Sequence, residues 1–241
     1  MYLIITEEGN TYIINSPGRY VYNEGKIEVS EDDLKSLPKY KTTSQGKKVV
    51  ITKPYYTDLF DKVFKRGAQI IHEKDLGYLM RKFFLKKDMV ILEAGSGSGH
   101  ATVFLSFLAK KIISYEKDKR FYDITRQNLD LFNVKNVELI FGDIIENTLT
   151  EHFDLVLFDF KDSIHERYLK KAYDTLKPGG YVVLYLPVIE QLSIGIKNLE
   201  KLGFIEISVR EILLRDWKIK PLRPKNEMLS HTAFMLSARK F

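Results

Sequence analysis

Short apolar runs alternate with longer amphipathic stretches over the last two thirds of the chain. Seven of the runs have the length and composition of strands: MVILEA (89–94), KIISYE (111–116), VELIF (137–141), DLVLFD (154–159), GYVVLYL (180–186), FIEISVR (204–210) and TAFMLSA (232–238). Strands that are apolar throughout and separated by amphipathic helices are typical of a parallel sheet covered on both faces. The pattern therefore predicts a doubly wound α/β fold.

Two departures from the strand-then-helix rhythm refine this prediction. The link between the third and fourth strands is short and leaves room only for a brief helix. Residues 211–231 contain two prolines and predict an extended excursion, after which residues 232–238 return antiparallel at the edge of the sheet. The predicted sheet is thus seven-stranded and Rossmann-like.

The first sixty residues follow a shorter period. Apolar positions alternate on both sides of an acidic Gly-Asn turn in MYLIITEEGNTYIIN, and again around Asn23, Glu24 and Gly25 in GRYVYNEGKIEVS. Both patterns predict β-hairpins. We therefore predict a small all-β module over residues 1–52 and a larger α/β domain over residues 53–241.

Composition narrows the functional classes. The 241 residues include no cysteine and five histidines without metal-ligand spacing, so we expect no disulfide and no metal site. No apolar run approaches the roughly 20 residues that cross a bilayer, and the N-terminus lacks the features of a secretory signal, which favours a soluble, cytoplasmic protein. The net charge of +6 suits either a polyanionic partner such as RNA or an ordinary lysine-rich surface.

A glycine-rich loop joins the first of the apolar strands to its helix. The segment ILEAGSGSGHATVFL places Gly95, Gly97 and Gly99 at alternate positions, which allows a sharp turn and close backbone approach to a ligand at a helix N-terminus. The same spacing occurs in simple βα turns and resembles a dinucleotide site. A dinucleotide site, however, more often has its third glycine at the position that His100 occupies here.

Three acids near the ends of successive strands define the ligand further. Glu93 precedes the glycines, Glu116 ends the second strand, where it could bind ribose hydroxyls, and Asp143 follows the third, where it could meet an adenine edge. Each acid alone could instead cap a helix or face solvent. As a set they suit adenosine with a zwitterionic tail, and the set resembles that of class I S-adenosylmethionine-dependent methyltransferases.

Three further segments resemble one branch of that class, the tRNA (adenine-N1)-methyltransferases. They are KPYYTDLFDKVFKRGAQIIHEKD before the first of these strands, YLPVIEQ (185–191) after the fifth, and RDWKIKPLRPKNEMLSHTAFMLSARKF at the end. The resemblance runs from about residue 40 to the C-terminus. It implies methyl transfer from S-adenosylmethionine, leaving S-adenosylhomocysteine, to N1 of the T-loop adenosine at tRNA position 58, with position 57 also modified in archaea. It further implies a homotetramer whose N-terminal β-modules are barrels that contact tRNA.

The resemblance also implies a set of cofactor-binding residues. By position, the glycine loop would hold the methionine part of the cofactor, Glu116 the ribose, and Asp143 with Ile144 the adenine. Asp159 matches the acid beside the transferred methyl group and is the candidate catalytic residue. The full set is Gln69, Glu93, Gly95, Ser96, Gly97, Ser98, Gly99, Glu116, Asp143, Ile144 and Asp159.

Asp159 suits the chemistry of methyl transfer to adenine N1. A carboxylate that accepts a hydrogen bond from N6 raises the electron density at N1 and stabilises the positive charge that forms, and it could take a proton from N6 afterwards. The alternative is a carboxylate that caps the next helix or pairs with Lys161. Candidate stacking partners for the target base are Phe160, Tyr78, Tyr185 and Trp217.

The tract after Asp159 departs from the family. Its members usually continue with a proline-containing tract that reaches a tryptophan, whereas Phe160-Lys161-Asp162-Ser163 follows here. This departure leaves open a non-catalytic tRNA-binding subunit with the same fold. A class I methyltransferase acting on protein isoaspartate is a second alternative, although the C-terminal segment argues against it.

Overall fold

The computed structural model describes residues 1–241, which divide into two compact units, Met1–Phe64 and Lys65–Phe241. The first unit contains strands β1 (Tyr2–Thr6), β2 (Thr11–Ile14), β3 (Gly18–Tyr22), β4 (Gly25–Val29), β5 (Lys39–Thr42) and β6 (Lys48–Thr52), with helices α1 (Glu31–Lys35) and α2 (Tyr56–Lys62). The second contains strands β7 (Val90–Ala94), β8 (Lys111–Glu116), β9 (Val137–Phe141), β10 (Phe153–Phe158), β11 (Leu176–Leu186), β12 (Phe204–Arg210), β13 (Trp217–Lys218), β14 (Arg223–Pro224) and β15 (Phe234–Lys240). Its helices are α3 (Glu73–Lys82), α4 (His100–Ser106), α5 (Lys119–Leu131), α6 (Glu166–Thr175) and α7 (Ile189–Lys201).

The first unit is built around antiparallel strands. Both predicted hairpins are confirmed, because β1 pairs with β2 and β3 pairs with β4. A four-stranded sheet has the order β2-β1-β6-β5. Alternate apolar residues, among them Ile4, Ile27 and Ile51, form a core of this unit's own. The unit is not all-β, since it contains α1 and α2, and α2 lies beyond the predicted boundary at residue 52.

The second unit is a seven-stranded sheet with helices on both faces. Its strand order is β12-β15-β11-β10-β7-β8-β9, and β7 to β11 run parallel. The last strand does return antiparallel, but its predicted place at the edge is wrong: β15 lies between β11 and β12. Leu236 and Ala238 of β15 are fully buried, which favours a position with a strand on either side.

Strand periodicity sends neighbouring side chains to opposite faces of this sheet. In β10, Leu155 and Leu157 pack in the core on one face, whereas Val156 and Phe158 pack in the core on the other. Two buried faces explain why the strands have apolar runs without alternation. The predicted doubly wound α/β class is therefore confirmed.

The helices follow the strands as the sequence predicts. Helices α4, α5, α6 and α7 follow β7, β8, β10 and β11, and the short link from β9 to β10 contains one 3-10 turn, Ile144–Glu146. The carboxyl ends of the parallel strands meet along one edge of the sheet, where α/β proteins bind ligands. Asp159 is the first residue after β10 rather than the last residue of the strand. None of the helices has the length and apolarity that crossing a membrane requires.

Candidate active site

The glycine loop between β7 and α4 needs glycine for steric reasons. Gly95 has φ +85°, and a Cβ atom there would lie 2.3 Å from the backbone oxygen of Asp159. Gly99, the N-cap residue of α4, has φ +78°, and its Cβ would lie 2.8 Å from Thr125 Cγ2. Side chains at these two positions would therefore displace either the end of β10 or helix α5.

Polar side chains from neighbouring elements hold the loop in place. Glu116 Oε2 accepts a hydrogen bond from the Gly97 N–H at 2.8 Å, and the Thr125 hydroxyl donates to the Gly97 carbonyl at 2.9 Å. Asn128 donates to the Ser98 carbonyl at 2.8 Å. Thr125 and Asn128 belong to α5, and sequence reasoning missed both because they read as ordinary polar positions of an amphipathic helix.

Residues 65–72, which we call the strap, are tied to the glycine loop. Asn128 bonds both the N–H and the carbonyl of Lys65, at 3.0 and 2.8 Å. Ser98 Oγ accepts hydrogen bonds from the N–H groups of Gly67 and Ala68, at 2.8 and 2.9 Å. Ser98 is a predicted ligand-binding residue, and its hydroxyl is already engaged by the protein, so a ligand would meet mainly its backbone.

His100 is also part of this arrangement. Its ring is hydrogen-bonded to the backbone of Ile71 in the strap. Burial, with a smaller contribution from the charge of Arg66, lowers the pKa of His100 to about 4. The imidazole is therefore neutral at physiological pH and adds no positive charge to the loop.

A first cavity of about 330 Å³ opens beyond the ends of β7, β8 and β9. Its lining includes Ala94, Gly95, Tyr115, Glu116, Gly142, Asp143, Ile144, Phe160 and Tyr168. Glu116 is buried, and its Oε1 accepts a hydrogen bond from the Asp118 N–H at 2.9 Å. Since each carboxylate oxygen has two lone pairs, both oxygens of Glu116 retain capacity for a further donor.

Asp143 is held in this cavity by a residue that sequence reasoning missed. The buried Tyr168 hydroxyl of α6 donates to Asp143 Oδ2 at 2.8 Å, and the Ile145 N–H donates to Oδ1 at 3.1 Å. The ring of Phe160 packs edge to face on Tyr168, with 4.8 Å between ring centroids. Phe160, a candidate partner for the target base, is therefore a wall of the first cavity.

A second cavity of about 240 Å³ adjoins the glycine loop and shares Gly95 with the first. It is lined by Gln69, Ile70, Ile71, Glu93, Gly95, Ser96, Ser98, His100, Ala101 and Asp159. Glu93 Oε2 accepts hydrogen bonds from the hydroxyls of Thr102 and Ser114, both at 2.6 Å. Burial raises the pKa of Glu93 despite these two bonds.

The Asp159 carboxyl faces the second cavity without a hydrogen-bond donor from the protein. Its half-buried side chain neither caps the following turn nor pairs with Lys161, so the structure does not support that alternative. Burial, together with the charges of Glu93 and Glu116, raises the pKa of Asp159 to about 8. Near neutral pH the group can therefore exchange a proton with a bound molecule, and in its ionised form it can accept a hydrogen bond.

The structure brings nearly all the predicted site residues together. Every one except Gly97 and Gly99 lines one of the two cavities, and these two glycines shape the loop itself. The other candidate stacking residues lie elsewhere: Tyr78 is half-buried on α3, Tyr185 is buried, and Trp217 is exposed in the excursion. Across the chain, no group of three or more His, Cys, Asp or Glu side chains converges as a metal ion requires.

Comparison with protein families and known sequences gives consistent matches. The sequence model of the tRNA methyltransferase complex GCD14 subunit matches residues 49–240. The chain is 26% identical to the tRNA (adenine(57)-N(1)/adenine(58)-N(1))-methyltransferase TrmI of Methanocaldococcus jannaschii, over 98% of this chain and 94% of that one. It is 31% identical to the tRNA (adenine(58)-N(1))-methyltransferase TrmI of Thermus thermophilus, over 73% and 71% of the two chains.

Solved structures show the same likeness. The crystal structure of the tRNA (m1A58) methyltransferase TrmI from Aquifex aeolicus superposes with a TM-score of 0.82 at 27% identity, covering 100% of this chain and 96% of that one. An S-adenosylmethionine-dependent O-methyltransferase from Thermotoga maritima superposes with a TM-score of 0.86 at 28% identity, covering 99% and 92%. The likeness includes both units of the chain.

Proposed function

Because the chain belongs to the tRNA methyltransferase family of the GCD14 subunit, we propose that it transfers a methyl group from S-adenosylmethionine to N1 of the T-loop adenosine at tRNA position 58. Position 57, which the archaeal relative also modifies according to its name, is a second acceptor to be tested. The main support for the proposal is the Asp159 carboxyl, which has no hydrogen-bond partner in the protein. It lies in the second of two adjoining cavities that are lined by the predicted cofactor residues.

The residues present fit the cofactor. The first cavity has an aromatic wall, a carboxylate with spare acceptor capacity at Glu116, and a second carboxylate at Asp143, which suit the ribose hydroxyls and the adenine amino group. Ile144 beside Asp143 gives the adenine an apolar contact. The second cavity combines backbone of the glycine loop with Gln69 and Glu93 and suits an amino-acid tail. When bound, the cofactor supplies an electrophilic methyl group on a sulfonium sulfur.

The chain's own residues align the acceptor and handle charge. Transfer would use the in-plane lone pair of adenine N1 to form the new bond to the methyl carbon, and the electron pair of the broken carbon–sulfur bond would stay on the donor sulfur. Asp159 accepts a hydrogen bond from N6, which raises the electron density at N1 and stabilises the positive charge left on the ring. With a pKa near 8, the same carboxylate can then take the N6 proton and return it to water.

The acceptor base must reach this carboxylate. N1 lies on the Watson–Crick edge, and tertiary contacts hold the T-loop adenosine in folded tRNA, so the enzyme takes the base out of the RNA as base-flipping enzymes do. The excursion over residues 211–231 carries Arg215, Trp217, Lys218 and Arg223 and is a suitable surface for the displaced strand.

Three further features complete the proposal. The protein acts as a homotetramer, the β-rich first unit contacts tRNA, and the site of action is the cytoplasm. The family resemblance supports the first two, and the third follows from the tRNA substrate. Light scattering of the purified protein tests the tetramer, since a monomer or dimer at micromolar concentration would reject it.

Methyl transfer to an unmodified tRNA transcript tests the function. An N1 methyl group blocks base pairing, so reverse transcription should arrest in the T-loop at position 58, at 57, or at both. A chain that neither binds S-adenosylmethionine in a calorimetric titration nor modifies the transcript would instead be the non-catalytic subunit. Methylation of peptide isoaspartate without tRNA methylation would establish the protein-modifying alternative.

Replacing Asp159 tests the mechanism. Asp159→Ala removes the acceptor for N6 but none of the groups proposed to contact adenosine, so turnover at saturating S-adenosylmethionine should fall by about 100-fold or more, while the Kd for S-adenosylhomocysteine, whose sulfur is uncharged, changes little. Single-turnover methylation and calorimetric titration measure the two quantities. Wild-type turnover in Asp159→Ala would reject the role of this carboxylate.

A further inference from the structure

A buried ion pair lies outside the two cavities and has no part in the mechanism above. Lys74 Nζ and Asp75 Oδ1 are 3.0 Å apart, and their side chains are 2% and 0% exposed. Burying two charges is costly unless their remaining donors and acceptors are satisfied. The partners that satisfy this pair therefore show what it holds together.

Two residues distant in sequence complete the pair. Asp75 Oδ2 accepts hydrogen bonds from the hydroxyls of Tyr185 at 2.8 Å and Thr232 at 2.7 Å. Lys74 donates to the oxygen of Thr232 at 2.6 Å. Burial raises the pKa of Tyr185, which keeps its hydroxyl a donor at all working pH values. We call Lys74, Asp75, Tyr185 and Thr232 the buried cluster.

The buried cluster joins three segments that the sequence singled out and the mechanism did not use. Lys74 and Asp75 begin α3 directly after the strap, Tyr185 lies near the end of β11, and Thr232 lies where the excursion returns towards β15. In the sheet, β11 is next to β10 on the side away from β7. The cluster is therefore on the Asp159 side of the sheet, away from the ends of β8 and β9 that border the first cavity.

Residues adjoining the cluster form a rim beside Asp159. His231, next to Thr232, contacts the Pro187 carbonyl through Nε2 at 3.0 Å and Glu211 through Nδ1 at 2.7 Å. Gln191 donates to the Lys161 carbonyl at 3.2 Å, which ties the tract after Asp159 to helix α7. Gln191 also accepts a hydrogen bond from the Val188 N–H at 3.3 Å, so the turn after β11, both ends of the excursion and that tract are linked by hydrogen bonds. The cluster joins two of these segments to α3 through Tyr185 and Thr232.

We propose that the buried cluster positions the segments beside Asp159 against which the RNA base binds. Its hydroxyl groups therefore determine how fast the RNA base is methylated but not how tightly the cofactor binds. The proposal rests on the proposed tRNA methyltransferase function. Tyr185 and Thr232 act as positioning residues through Asp75, since neither lines a cavity.

Removing single hydroxyl groups tests the proposal in the full chain. Tyr185→Phe and Thr232→Val keep the shape of each side chain. Tyr185→Phe removes one buried hydrogen bond to Asp75, so kcat for tRNA methylation should fall by about tenfold. Thr232→Val removes a hydrogen bond to Asp75 and also the acceptor for Lys74, so kcat should fall by at least as much. The Kd for S-adenosylmethionine should stay within about twofold of the wild-type value. Thr232→Ser restores the hydroxyl and should recover most of the lost rate.

Tyr168→Phe is the matched control for Tyr185→Phe. It removes the same group from an equally buried tyrosine that also donates to an aspartate at 2.8 Å, but in the first cavity. It should weaken cofactor binding. Thr175→Val removes a hydroxyl that bonds the Lys171 carbonyl just before β11 begins, at the edge opposite the site, and should leave both quantities unchanged.

The outcomes separate this proposal from the proposed function. If the wild-type protein methylates tRNA, and Tyr185→Phe and Thr232→Val keep its kcat, the positioning role is wrong while the function stands. The positioning role would also be wrong if Tyr185→Phe or Thr232→Val increased the Kd for the cofactor as much as Tyr168→Phe does. A wild-type protein that does not methylate tRNA overturns the function itself. Assays at temperatures well below the Tm of each variant exclude a loss of rate through unfolding. If Thr232→Ser is as slow as Thr232→Val, that result counts against the proposal.

Discussion

At the scale of single residues, the surroundings of Asp159 change the pKa of its carboxyl group. The residue follows four buried residues of β10, Leu155 to Phe158, and the buried Glu93 and Glu116 carboxylates are near it. Burial and these charges raise its pKa to about 8, so the carboxyl is largely protonated at pH 7 before any ligand binds. A positive charge placed beside it would favour the ionised form.

This argument predicts proton release on cofactor binding. S-adenosylmethionine carries a sulfonium charge, which should lower the pKa of Asp159 and cause the protein to release protons when the ligand binds at pH 7. S-adenosylhomocysteine has an uncharged sulfur, so its binding should release fewer protons per ligand bound. Titration calorimetry in two buffers of different ionisation enthalpy measures the difference, and Asp159→Asn should abolish it. Equal proton release by both ligands in the wild-type protein would contradict the placement of Asp159 beside the sulfur.

A second prediction at this scale concerns glycine. Gly95→Ala combines a left-handed backbone with a Cβ atom 2.3 Å from the Asp159 carbonyl, so we expect it to lower the free energy of unfolding by about 2–4 kcal/mol. Gly77→Ala is the control, because Gly77 lies in helix α3 with open space around it and alanine there should stabilise by about 0.5–1 kcal/mol. Chemical denaturation measures both, and similar values for the two would refute the steric account of the loop.

At the scale of elements, the strap and helix α5 act together. Helix α5 buries two polar residues, Thr125 and Asn128, which bond the backbone of the glycine loop and the strap rather than solvent. Ser98 of the loop bonds the strap in turn. The glycine loop is thus fixed by contacts to two elements, helix α5 and the strap.

Asn128→Ala should release the strap. It removes the hydrogen bonds to both backbone groups of Lys65 and to the Ser98 carbonyl, so we expect a loss of about 1–3 kcal/mol in stability, faster proteolysis after Lys65 or Arg66, and weaker cofactor binding. Asp130→Asn, at an exposed position of the same helix, should change neither binding nor stability. Limited trypsin digestion and calorimetry test this, and unchanged cleavage in Asn128→Ala would show that the strap is held by other contacts.

At the scale of the whole molecule, charge and chemistry are divided unequally between the units. Residues 1–64 carry as many acidic as basic side chains, so the net charge of +6 belongs wholly to residues 65–241. All the candidate cofactor residues lie in the second unit as well. The second unit therefore has the groups for both cofactor binding and most phosphate contacts.

Deleting residues 1–64 separates these contributions. The remaining chain should bind S-adenosylmethionine with nearly the full-length Kd, and its tRNA affinity should keep the salt dependence that phosphate contacts cause. If the first unit contacts tRNA as proposed, the affinity should fall by about tenfold or more at every salt concentration. Filter binding between low and moderate salt measures this, and an unchanged affinity would remove the first unit from RNA binding.

Local patterns were enough to predict most elements and the position of the glycine loop. Apolar runs, helical periods and hairpin turns depend on neighbouring residues, so β8, β9, β12 and the two hairpins appear as the sequence predicts. The position of β15 was wrong because the order of strands depends on contacts far along the chain. The place of Phe160 in the wall of the first cavity could not be predicted for the same reason, since its ring packs on Tyr168 of the following helix.

The α/β class, the glycine loop and the acids at the strand ends thus follow from local sequence, because a strand end and a turn are specified by a few adjacent residues. The side chains that hold those acids and that loop in place depend instead on contacts between distant segments. Tyr168 on Asp143, Asn128 on the strap, and Tyr185 with Thr232 on Asp75 join residues from separate elements. Such bonds exist because the sheet brings the elements together, and no local pattern encodes them.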